Sequence, residues 1–207
     1  MQKSAKIKII SAFALSAAAI AASAVLVFAF GKTSPVYSES GILEVLQSAV
    51  LVLCLAAFAA ASWRSLKAPS GDGAAPLIPV FFTLLAYAFI LREVDFDKMG
   101  LPAAAEFMLY GAGRHAVLIA GFAAIAVFAA ARFGKYLKAS LEFLKSSNGR
   151  FIAAAGALLV AGYLFEHEIP LKEGEFFEES CELMGYCSLF AAAASMCEKS
   201  GQNAVRA

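Results

Sequence analysis

The stretch L91-R-E-V-D-F-D-K98 places three carboxylates, Glu93, Asp95 and Asp97, beside Arg92 and Lys98 at the end of a long apolar run. Acids recur at comparable boundaries elsewhere in the chain. Glu44 and Gln47, three apart, lie in the first turns of one apolar run, and Glu178 and Glu182, four apart, lie at the start of another. On a helix, each of these pairs shares a face. Glu93 and Asp97 have the same four-residue spacing, provided the helix continues that far, and His115 begins a further run.

Carboxylates gathered at one depth repel each other, and partial loss of water raises their pKa values, so they need protons or a cation in order to coexist. Carboxylate oxygens with a Gln carbonyl suit Ca²⁺, Mg²⁺ or Mn²⁺, whereas carboxylates with an imidazole suit Zn²⁺, Mn²⁺ or iron. A divalent metal ion held by Glu44, Glu93, His115 and Glu182 would lower the pKa of a bound water, with Glu93, Asp97 or Glu178 acting as general base. The chemistry expected from that arrangement is metal-dependent hydrolysis or group transfer on lipid headgroups. Two alternatives use the same residues differently. In a small ion-coupled carrier the acids bind a cation or proton in an outer vestibule, and in an accessory subunit the acidic loops dock a protein partner, whose identity the sequence does not indicate.

The elements that must position these residues follow from composition. Of the 207 residues, 61% are hydrophobic and 16% charged, and the mean hydropathy is +0.73, which excludes an ordinary soluble globule. A net charge of +1 provides no basic excess for nucleic acid. Six apolar runs, Ile7–Phe30, Ile42–Trp63, Ala74–Leu91, His115–Phe133, Phe151–Phe165 and Cys181–Cys197, predict an all-α bundle of six transmembrane helices forming a single integral-membrane domain over residues 1–207. The fifth run is short for a bilayer and is expected to continue into Glu166-His167-Glu168. The first resembles a signal peptide, with Lys3, Lys6 and Lys8 ahead of it and A22-S-A24 as a cleavage pattern, but its apolar run extends to Phe30 and reads as a retained anchor.

Lys and Arg set the orientation. The N-terminus, the Arg64–Lys67 loop, the Arg132–Arg150 loop and the C-terminal tail hold 12 of the 17 basic residues, so both termini are expected in the cytoplasm and the chain in the plasma membrane, as in a bacterial inner membrane. On that topology 13 of the 16 acids and both histidines lie on the outer side. Carboxylates contribute little to orientation, so this asymmetry requires a separate cause. Glu44 and Glu182 are expected near helix N-termini, where the dipole favours an anion, and Glu93, Asp97 and Glu166 near C-termini, where it opposes one.

Between the runs, Pro102–Tyr110 predicts a short interfacial helix. Tyr136–Lys145 reads as a basic amphipathic segment suited to anionic membrane lipids. The four cysteines form no framework and read as small apolar packers. Zinc hydrolases of the ceramidase and progestin-receptor group use three histidines with an H-x-x-x-H pair, whereas this chain has two histidines and no such pair. There is no P-loop or dinucleotide fingerprint.

Overall fold

The computed structural model describes residues 3–31, 36, 41–67, 77–94, 96–169 and 173–206. Helix α1 (Lys3–Ala24) continues through a π-helical turn (Val25–Ala29), and α2 (Ile42–Lys67) and α3 (Leu77–Glu93) follow. A 3₁₀ turn (Phe96–Met99) and the short α4 (Ala103–Leu109) lead to α5 (Ala112–Ala131), α6 (Phe133–Lys145), α7 (Ser147–His167) and α8 (Gly174–Arg206). The fold is all-helical, with no strand among the described residues.

Among the described residues, four segments are long and apolar enough to cross a membrane: Ile9–Ala29, Ile42–Lys67, Ala112–Ala131 and Ser147–His167. The expected fifth run does extend, giving a 21-residue α7 that ends at His167. The remaining two expected crossings fall on α3 and on the middle of α8. At 17 residues, α3 is about 26 Å long, and residues 74–76 of that run lie outside the described residues.

Helix α8 is the axis on which the others assemble, packing along α7, α2 and α1, while α2 also packs on α3. Small residues allow this close packing. Ala191, Ala192 and Ala193 are fully buried in α8, and a Cβ added to Gly162 of α7 would lie 3.3 Å from the Glu178 carbonyl oxygen of α8. Lipid gives little hydrophobic drive for helix association, so such close backbone contact supplies the packing energy instead. Larger groups fill the space between α2, α3 and α8: Leu43, Leu51, Phe58, Leu183 and Tyr186 are all fully buried.

Helix α6 spans the predicted amphipathic segment and packs beside α7. Ser146 forms the corner between them, its hydroxyl donating to the Phe143 carbonyl at 2.6 Å and accepting from the Gly149 N–H at 3.2 Å. A Cβ on Gly149 would lie 2.2 Å from the Phe143 carbonyl oxygen, so this corner accepts only glycine. Phe143 then reaches Phe82 of α3, with ring centroids 5.7 Å apart. Helix α5 is peripheral, packing on α3, α4 and α6, and of its residues only Gly113 is buried.

Candidate carboxylate site

The acids converge at the end of the bundle where α2 and α8 begin and α3 and α7 finish. Arg92 and Glu93 form the last turn of α3, and the helix ends there because the chain tightens into the 3₁₀ turn at Phe96–Met99. The Arg92 guanidinium donates to two carboxylates: its Nε lies 2.6 Å from Glu93 Oε1, and its Nη2 contacts Glu182 Oε1 of α8. The Tyr186 hydroxyl, one turn further along α8, closes the network by donating to Glu93 Oε1 at 2.9 Å and accepting from Arg92 Nη2 at 3.1 Å. The two carboxylate side chains are only 11% and 10% exposed, against 56% for that of Arg92. One cation thus bridges two nearly dry anions, an arrangement that holds only while the bridging charge is present.

A second contact joins α2 to α8. Gln47, fully buried in α2, donates through Nε2 to Glu179 Oε2 at 2.6 Å and to the Glu179 carbonyl at 3.0 Å. Its amide oxygen is buried with no hydrogen-bond partner. A dry carbonyl oxygen left unpaired costs about 1–3 kcal/mol, so this oxygen is an acceptor that a cation or a hydrogen-bond donor would satisfy.

Glu178 and Glu179 precede the apolar part of α8. Burial, with further repulsion from Glu182, Glu93 and Glu44, pushes the Glu179 carboxyl up to about 7 even though the bond from Gln47 acts the other way. Glu178 is pushed up to about 8, first by burial and then by the charge of Glu166 and a hydrogen bond with it. Glu178, in contact with Glu166 of α7, therefore keeps its proton into the neutral range. Beside these acids, a groove of about 610 Å³ is lined by Glu44, Glu93 and Lys98 together with apolar residues of α2 and α3.

The structure brings together Glu44, Glu93, Glu178 and Glu182 of the residues expected from sequence. His115 stands apart, exposed at the start of peripheral α5. Among the described residues, no group of three or more His, Cys, Asp or Glu is arranged to hold a metal ion. The side chain of Asp97, and all of Asp95, lie outside the described residues. Because α3 stops at Glu93, Glu93 and Asp97 do not share a continuous α-helical face. Glu182 is not at a helix N-terminus either. Helix α8 begins at Gly174, two turns earlier, so its dipole does little for Glu182, and the acid in its first turn is Glu175. Three participants were not among the expected site residues: Arg92 as the shared cation, Glu179 and Tyr186. The spacing Glu179, Glu182, Tyr186 (i, i+3, i+7) does mark one stripe of a helix.

Comparison of the chain with protein-family models, with curated proteins and with solved structures gives no match. Function must therefore be argued from this site.

Proposed function

We propose that the chain is a six-crossing protein of a bacterial inner membrane, with both termini inside, and that its outer carboxylate site binds and releases a proton or monovalent cation in ion-coupled transport. One observation carries this reading: Gln47, whose amide oxygen is buried and unpaired, bonds through Nε2 to a carboxyl, Glu179, whose pKa of about 7 lets it exchange its proton near neutral pH. A carboxylate that gains or loses a proton near neutrality, beside an empty acceptor, is suited to swapping a proton for a cation. The Arg92 bridge complements it by keeping Glu93 and Glu182 in place while the charge at Glu179 changes. The groove lined by Glu44, Glu93 and Lys98 meets the Arg92 network at Glu93 and supplies a vestibule carrying both signs of charge.

Infrared difference spectroscopy of the reconstituted protein tests this. A protonated-carboxyl band should disappear as pH rises through about 7–8, shift when Na⁺ replaces a bulky organic cation, and lose its lower-pH component in Glu179→Gln. A carboxyl signal that is flat across that window, with or without Na⁺, would overturn the reading.

A second reading, a metal-dependent hydrolase or transferase acting on lipid headgroups, draws on the proximity of Glu44 and Glu93 on one groove. A divalent ion there would take those two carboxylates as ligands. It predicts retention of a divalent metal through purification, which elemental analysis reads directly.

A further inference from the structure

The end of the bundle opposite the acids carries a different kind of site. A groove of about 860 Å³ runs between α2, α3 and α5, within the range of about 300–1,000 Å³ usual for small ligands. It passes from Tyr87 and Met108, toward the acid end, to Arg132 and Tyr136 at the other. Its walls are almost wholly apolar, with Leu55, Leu84, Ile125 and Phe128 among them. Two of its hydroxyls, Ser62 and Thr83, lie 2.9 Å apart, each within hydrogen-bond reach of its own helix's carbonyl, so their protons are used within the protein. Arg132, at the mouth, makes no ion pair among the described residues.

Helix α6 fixes the depth of that mouth. Phe133, Leu137, Leu141 and Leu144 are all exposed and fall at i, i+4, i+8 and i+11, a single face of the helix. Lys135, Lys138 and Lys145 flank that face, with Glu142 the one acid in α6. An exposed apolar stripe bordered by cations belongs at the boundary between headgroups and acyl chains, and it places Arg132 at the level of lipid phosphates.

The geometry points to this groove as a binding site for one anionic glycerophospholipid, with an acyl chain lying along α5 between α2 and α3 and the phosphate on Arg132. Charge complementarity selects the headgroup, and the apolar walls select the chain. Gly121 keeps the groove open: a Cβ there would come within 2.7 Å of the Leu84 side chain. The inference rests on the membrane embedding and not on the carboxylate reading.

Native mass spectrometry of the full-length protein, delipidated in mild detergent and titrated with phosphatidylglycerol or phosphatidylcholine, tests it. The expected result is one phosphatidylglycerol per chain, held about fivefold more tightly than phosphatidylcholine. Arg132→Gln should remove that preference and Arg132→Lys retain it. Gly121→Leu should weaken both lipids, while Lys138→Gln should leave binding within about twofold. Equal affinity for the two lipids, or a loss in Lys138→Gln as large as that in Arg132→Gln, would reduce the effect to diffuse surface attraction and overturn the site. So would competition by soluble glycerol phosphate, which indicates a headgroup pocket with no role for the chain, or a dimer that excludes lipid, which would make a second copy the occupant.

Discussion

The two ends of this bundle handle charge in opposite ways. At the acid end, carboxylates are taken out of water and bound across helices through a half-exposed guanidinium, so Arg92, Glu93, Glu182 and Tyr186 form one network. At the other end, Arg132 and the lysines of α6 remain at the surface, and what is ordered is their depth in the bilayer. The contrast separates two uses of an ion in a membrane protein: a buried ion locks helices and switches with pH, and a surface ion selects the lipid around it.

The sharpest way to break the contrast is to remove the shared cation. Arg92→Gln leaves two nearly buried carboxylates facing each other and should lower stability by about 3 kcal/mol, measured as loss of the folded fraction on heating in detergent. An additional Glu182→Gln should recover part of that loss. Next in size is the close approach of α7 and α8. Gly162→Leu should cost about 1–3 kcal/mol by overpacking, because the added side chain meets the Glu178 backbone and the Glu182 side chain.

A pH series sharpens the comparison further. Glu179 and Glu178 have folded-state values of about 7 and about 8, against an ordinary 4.5. Between those limits the folded state holds more protons than the unfolded one, so this contribution to stability is full below about 4.5, falls as pH rises and levels off above about 8. Thermal denaturation from pH 5 to 9 should show this fall, and Glu179→Gln should flatten its lower part. Tyr186→Phe, which removes one donated and one accepted bond, should cost about 1 kcal/mol. The smallest effect belongs to the opposite end: Arg132→Gln should change stability in plain detergent by less than about 0.5 kcal/mol. A large loss there would mean that the surface end also locks helices, and the distinction would collapse.

Much of the scaffold was legible in the sequence. Runs of apolar residues located α1, α2, α5 and α7, and the Pro102 and Tyr136–Lys145 segments correspond to α4 and α6. Where the reading fell short, the signal was missing for a physical reason. The first turns of α8 carry Glu175, Glu178, Glu179 and Glu182, a density of charge that reads as an outer loop, so the apolar run from Cys181 marked only the later part of the helix. The meeting of Glu44, Glu93 and Glu182 was anticipated from their common depth, but depth alone does not say which helices are neighbours. Arg92 stands next to Glu93 in sequence, and its decisive partner, Glu182, is 90 residues away. Glu179 became visible only through Gln47, a neutral side chain on a different helix. His115 shared the expected depth but sits on a peripheral helix, which hydropathy could not distinguish from a central one.

One feature of α8 reaches beyond the acids. At its far end, Arg64 of α2 grips the Cys197 carbonyl at 2.8 Å and the Cys197 Sγ at 3.2 Å, so α2 holds α8 both through Gln47 near the top and through Arg64 near the bottom. Glu182 and Cys197 are fifteen positions apart along unbroken helix, about 22 Å of stiff rod. A push on that rod at the acid end would be carried to the guanidinium clasp at the opposite end of the bundle, without any intervening joint.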